Sequence, residues 1–223
     1  MDWLSFKGTH LKNKKHLKKY IIEFIGTFFM MLTIAMMVIV DTKGFAPLAI
    51  GMGLVGLIYM GGHISRAHYN PAVTLAFFIN NEIAKSDILG YLVAQFSAAI
   101  SAAWVGVYLA GEKASVMDLS DTPRVFLAEF LGTFILCFVI LHVAIAKTTK
   151  GNSFYGVAIG FTVIGIASAF GWISGGAFNP SVAVGLGAIG KVEWMDIWIF
   201  FAANFFAAVV AARLFQWISV HEE

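Results

Sequence analysis

Two segments of this chain carry the same unusual chemistry: "SRAHYNPAVT" at 65–74 and "GGAFNPSVAVG" at 175–185. Each holds an Asn-Pro pair, Asn70-Pro71 followed by Ala72 and Asn179-Pro180 followed by Ser181. An asparagine just ahead of a helix accepts a first-turn N–H with its side-chain oxygen. A proline at the first helical position loses nothing by lacking an N–H, since that donor has no intrahelical partner there. The predicted arrangement is a capped helix start whose carboxamide NH₂ is free to donate. A helix N-terminus also carries partial positive charge. Such a site favours a neutral molecule with an oxygen lone pair and disfavours a cation.

The elements that must position these pairs are apolar. The chain is 223 residues long, 59% hydrophobic and 13% charged, against roughly 25% charged in soluble domains. Its apolar residues are gathered into long runs, which makes it an all-α integral membrane protein. Six runs are long enough to span a bilayer: 20–40, 45–62, 88–110, 124–146, 154–172 and 195–218. The runs that follow the Asn-Pro pairs, 71–79 and 180–188, are too short to cross. Irregular backbone is tolerated at membrane depth only inside protein or along a wet cavity. The stretches 63–69 and 172–178 therefore read as loops folding back into the protein, each ending in a re-entrant half-helix.

The chain repeats itself in inverted form. "AIGMGLVGLIYMGGHISRAHYNPAV" from Ala49 aligns without a gap on "AIGFTVIGIASAFGWISGGAFNPSV" from Ala158, and "EFIGTFFM" from Glu23 aligns on "EFLGTFIL" from Glu129. The same offset of about 109 residues carries Gln95 onto Asn204. Three spans per half is an odd number, so the second copy enters from the opposite side. Inverted repeats of this kind place their functional site near the bilayer midplane between the halves. The two half-helices then meet N-terminus to N-terminus.

Charge sets the orientation. Lys7, Lys12, Lys14, Lys15, Lys18 and Lys19 precede the first span, and Arg66, Lys85, Lys147, Lys150 and Arg213 fall on the same side. Only Lys43, Lys113, Arg124 and Lys191 fall on the other. The excess puts both termini in the cytoplasm. The expected organisation is a basic tail (1–19), a first half (20–110), an external connection (111–123), a second half (124–218) and a short cytoplasmic tail (219–223). A net charge of +2 gives no case for nucleic acid. The first run exceeds the length of a signal-peptide core. The single cysteine, Cys137, excludes an intrachain disulfide and reads as packing.

On these motifs the chain resembles the major intrinsic proteins, the aquaporins and glycerol facilitators, along nearly its whole length. The resemblance rests on the Asn-Pro-Ala and Asn-Pro-Ser motifs, "GHIS" at 62–65 and the glutamate in each half's first helix. It implies a passive channel for water and small uncharged solutes, with no cofactor, assembled as a homotetramer in membrane lipid. It also implies exclusion of protons and cations by half-helix dipoles or an arginine. Family members usually continue the second motif with that filter arginine; here the position is Val182. The other filter positions carry over to Ile50, Ala167 and Gly176, which match neither the strict water channels nor the glycerol facilitators. Losing a guanidinium removes five fixed donors and a permanent charge. The expected filter is wide, apolar and uncharged, passing glycerol, urea or undissociated metalloid acids such as arsenous acid. The alternatives are a strict water channel narrowed by other residues, and a secondary transporter, which would need a coupling-ion site.

The remaining polar residues have plainer readings. Glu23 and Glu129 suit acceptance of loop N–H groups better than a proton relay. His63, Arg66 and His68 fall in the first re-entrant loop toward the cytoplasmic end and suit a vestibule, by hydrogen bonding more than by pH gating. Gly26, Gly56, Gly132 and Gly165 suit close helix crossings. No metal-ligand cluster or nucleophile–base arrangement points to an enzyme. Short loops suggest a prokaryotic inner membrane.

Overall fold

The computed structural model describes residues 3–40 and 44–219, with side chains from His16 onward. The side chains of Lys7, Lys12, Lys14 and Lys15, the loop residues Asp41 to Lys43 and residues 220–223 lie outside the described residues. Among the described residues the chain folds into eight α-helices: α1 (Trp3–Ile39), α2 (Ala46–Ser65), α3 (Pro71–Ile79), α4 (Lys85–Ala110), α5 (Thr122–Ala144), α6 (Tyr155–Ser174), α7 (Pro180–Ala188) and α8 (Ile197–Ser219). Short 3-10 turns at Lys147–Thr149 and Trp194–Asp196 complete it. Six helical segments of 20 to 26 residues are long and apolar enough to cross a membrane. The protein is an integral, multi-pass membrane protein. At 1.5 Å per residue a 20-residue helix covers the hydrocarbon thickness of about 30 Å. The nine-residue α3 and α7 cover less than half of it.

The helix ends differ from the sequence expectation at one informative place. The sequence predicts loops at 63–69 and 172–178, yet α2 runs on to Ser65 and α6 to Ser174. Each is stopped by a left-handed cap, Arg66 (φ 69°) and Gly175 (φ 85°). The cap N–H groups bond Gly62 O at 3.0 Å and Gly171 O at 2.8 Å. Only five residues, the last of them the Asn cap, therefore separate the helices at each loop.

The two halves correspond helix by helix, and they interlock. α1 packs on α4 and α2, while α5 packs on α8 and α6. α2 and α6 cross between the halves. The half-helices are exchanged: α3 lies against α8 and α7 against α4. Helix association in lipid gains little from burying apolar surface, so it relies on close packing of small residues. α4 presents Ala94, Ala98, Ala99, Ala102 and Ala103, all buried. α8 presents Ala203, Ala207, Ala208, Ala211 and Ala212 at the equivalent positions, each fully buried.

The glycines give another correction. The α2–α6 crossing is made at Gly51 and Gly160, where an added Cβ would come within 2.5 Å and 2.6 Å of the facing backbone carbonyl. Gly56 and Gly165, expected at crossings, face open space. Gly26 and Gly132 accommodate rings instead: a Cβ there would lie 2.0 Å from Tyr69 and 2.3 Å from Phe178.

α1 and α4 are joined at the end that carries the amino terminus. The buried Asp87 carboxylate accepts from Lys19 Nζ at 2.7 Å and Tyr20 Oη at 3.1 Å, and it also pairs with His16 Nδ1. Replacing a buried acceptor in such a cluster costs about 1–3 kcal/mol. For a chain of this size each kcal/mol shifts the unfolding midpoint by roughly 2–4 °C. Asp87→Ala is therefore expected to lower the midpoint of thermal unfolding in detergent by several degrees, read by tryptophan fluorescence. An unchanged midpoint would show that the cluster contributes nothing.

Candidate functional site

The re-entrant loops are held by two carboxylates. Glu23, fully buried on α1, accepts from Ser65 Oγ at 2.7 Å and His68 N at 2.9 Å through Oε1. Its Oε2 accepts from Tyr69 N at 2.7 Å and Gln95 Nε2 at 2.9 Å. Glu129 on α5 repeats the arrangement. Its Oε1 takes Ser174 Oγ at 2.6 Å and Ala177 N at 2.9 Å, and its Oε2 takes Phe178 N at 2.7 Å and Asn204 Nδ2 at 3.4 Å. Backbone donors that no helix ladder can reach are thereby satisfied within the protein, as membrane depth requires.

These bonds impose a tight backbone. Arg66, Ala67 and Tyr69 have φ of 69°, 52° and 48°, and Gly175, Gly176 and Phe178 have 85°, 65° and 46°. A left-handed conformation costs about 1–2 kcal/mol for a residue with a Cβ. It persists where the surroundings over-determine it. Here the surroundings are the glutamate bonds and the ring seats at Gly26 and Gly132.

The chain then turns into the half-helices. Asn70 Oδ1 accepts from Ala72 N at 2.8 Å and Asn179 Oδ1 from Ser181 N at 2.9 Å, with Pro71 and Pro180 following each cap. Ser181 Oγ adds a second bond to Asn179 Oδ1 at 2.8 Å. The carboxamides are not wholly free, as the sequence led one to expect. Asn70 Nδ2 donates to Phe178 O at 3.0 Å and Asn179 Nδ2 to Tyr69 O at 2.9 Å, each reaching across to the other half. Each NH₂ has two protons, so one remains for the cavity that both side chains line. The two positive helix ends face each other at this junction.

A cavity of about 770 Å³ passes this junction. At one mouth it is lined by Gly62, His63, Arg66 and Asn152, and at the other by Gly44, Ala46, Trp172 and Lys191. Ile50, Ala167, Gly176 and Val182 all line it. Val182 is buried on the first turn of α7, and the other three are partly buried. Among the described lining residues none is a carboxylate. His63 and Arg66 are exposed at the mouth beside the Arg66–Glu82 ion pair.

His68 lies deeper, buried with its ring against Phe77 and Tyr91 at 4.2 Å and 5.1 Å between centroids. Thr74 Oγ1 donates to Asn70 O at 3.0 Å and accepts from Gln95 Nε2 at 3.1 Å. Its other lone pair meets His68 Nδ1 at 3.1 Å. In a neutral ring the proton then sits on Nδ1, and Nε2 is a lone-pair acceptor. Among the described residues that Nε2 has no protein partner, and the side chain lines the cavity.

Several supporting residues escaped sequence reasoning. Ser65 and Ser174 each bond a loop glutamate, and Ser65 O also accepts from Tyr91 Oη at 2.7 Å. Thr133 bonds Asn204 Oδ1 at 3.0 Å. Their signal was the repeat itself: Ser65 and Ser174 occupy equivalent places in the ungapped alignment.

The comparisons agree with this architecture. A family model described as Major intrinsic protein matches residues 10–215. The glycerol uptake facilitator protein-like 6 of Lactiplantibacillus plantarum is 33% identical over 209 residues, covering 88% of this chain and 95% of its own. Aquaporin AqpM of Methanothermobacter thermautotrophicus is 30% identical over 241 residues, covering 91% of this chain and 97% of its own. The X-ray structure of the aquaglyceroporin from Plasmodium falciparum has a TM-score of 0.76 at 22% identity, covering 90% of this chain and 95% of that one. That likeness concerns the fold.

The loop geometry yields a direct test. Glu129→Gln keeps the side chain's size but replaces one acceptor oxygen with an NH₂ that faces donors. Leaving buried donors unsatisfied costs about 1–3 kcal/mol for each. The variant is expected to unfold at least about 5 °C lower in detergent and to lose most of its water flux in proteoliposomes. Wild-type behaviour in both measurements would show that the carboxylate is not what holds the loop.

Proposed function

The chain belongs to the major intrinsic protein family, and within that family we propose that it is a passive channel whose wide, apolar filter admits small uncharged solutes larger than water. Membership itself makes it a channel for water and small solutes and not an enzyme. The finer reading rests on one observation: the position that follows Asn179-Pro180-Ser181 is a buried valine lining the cavity, accompanied there by Ile50, Ala167 and Gly176. None of the four has a polar side-chain atom, and two project little or nothing. Glycerol, urea and undissociated metalloid acids such as arsenous acid fit an opening of that character.

At the junction the chemistry supplies what an uncharged solute needs. The free protons of Asn70 and Asn179 donate to its oxygens. Glu23 and Glu129 act by holding the loops, and His63, Arg66 and His68 line the passage from the amino-terminal mouth. The lysine and arginine excess supports a topology with both termini in the cytoplasm, and the short loops support a prokaryotic inner membrane. The organisation into a tail (1–19), two halves (20–110 and 124–218), a connection (111–123) and a short end (219–223) accompanies this reading. So does assembly as a homotetramer with one pore per subunit.

The test is stopped-flow light scattering on proteoliposomes with water, glycerol and urea. Wild type is expected to pass all three, and Val182→Arg to suppress glycerol and urea at least tenfold while water still crosses. If wild type passes water alone, the pore is narrowed elsewhere, by other residues or by dewetting of its apolar constriction, and the wide-filter reading fails.

A further inference from the structure

We propose that Arg66 is a specificity-determining residue that supplies, at the amino-terminal mouth of the pore, the cation-excluding charge that the filter lacks at Val182. This rests on the channel reading above. The first observation is conformational. Arg66 occupies the left-handed cap of α2 with φ 69°, and its equivalent in the second half is Gly175 with φ 85°. Glycine adopts this conformation freely, whereas a side chain there is strained. The loop imposes the same conformation on Ala67 opposite Gly176, so the strain marks Arg66 as a residue this position does not favour, and its use rests on placement and charge.

The second observation is placement. Arg66 lines the cavity mouth beside His63, and its side chain is 50% exposed. The guanidinium pairs with Glu82 through Nη1 and lies over the Phe77 ring at 5.9 Å from its centroid. Glu82 is not among the lining residues, so of the pair only Arg66 borders the passage. The third observation is the charge inventory. The lining holds no carboxylate among the described residues, and its permanent cations are Arg66 at this mouth and Lys191 at the other. A planar guanidinium fixed by a carboxylate and an aromatic face is a held charge, unlike an ammonium on a flexible stem.

An ion pair that merely ties two loops together predicts a different outcome from a charge that faces the pore. For a tie, Arg66→Gly and Glu82→Gln break the same bond and act alike. For a pore-facing charge they act in opposite directions, since one removes the cation and the other unmasks it. Arg66→Gly also gives the backbone the residue its φ favours, so the fold is not placed at risk.

The experiment compares urea with guanidinium, a neutral and a cationic solute of nearly the same shape, in proteoliposomes of each variant. The guanidinium-to-urea flux ratio is expected to rise at least tenfold in Arg66→Gly and to fall severalfold in Glu82→Gln. An unchanged ratio in Arg66→Gly, a ratio that moves the same way in both variants, or a rise in Lys191→Met without one in Arg66→Gly would overturn the proposal. Urea flux in wild type reports separately on the channel reading, because its absence would sink that reading before the ratio is taken.

Discussion

The structure depends on how a buried carboxylate satisfies backbone that cannot be helical. To place a helix start at the centre of a bilayer, the chain must leave a helix, turn and begin another at membrane depth. That leaves several N–H groups without partners where no water substitutes cheaply. Glu23 and Glu129 answer this by each accepting two loop N–H groups together with a serine hydroxyl and a carboxamide. The left-handed residues, the Asn caps and the half-helices all follow from that anchoring. The cavity inherits its polar junction from the same bonds.

A second constraint acts through shape. Because α3 rests on α8 and α7 on α4, both third helices must accept a half-helix at short range. Their matched alanines allow this, just as Gly51 and Gly160 let α2 and α6 approach to backbone contact. The aromatic rings of Tyr69 and Phe178 are then seated over Gly26 and Gly132, converting loop strain into a defined position. On this shared frame the two halves carry different side chains at several positions along the re-entrant segments. Arg66 faces Gly175 across the repeat, His68 faces Ala177, and Thr74 faces Ala183.

Much of this was legible from the order of residue types. Long apolar runs gave the spans, and the ungapped repeat gave the inversion and with it the meeting of the Asn-Pro pairs. What the sequence obscured was local and geometric. α2 overran its expected end because a left-handed cap at Arg66 has no composition signal, and α6 because Gly175 and Gly176 follow each other and either could stop it. The carboxamides of Asn70 and Asn179 looked free because their acceptors, the carbonyls of Phe178 and Tyr69, are more than a hundred residues away in sequence. Gly56 and Gly165 misled because glycine marks a close approach only when its empty side faces a neighbour, and spacing does not reveal which side does.

The exchange of half-helices has a consequence for biosynthesis. α3 is made early, yet the helix it rests on, α8, is made after the other seven described helices. The hydrogen bonds that join Asn70 to Phe178 and Asn179 to Tyr69 likewise need both halves present. The first half must therefore wait in the membrane with its re-entrant segment lacking its final partners. Maturation of the passage is a late event, and a chain truncated before α8 has most of its spans but no completed conduit.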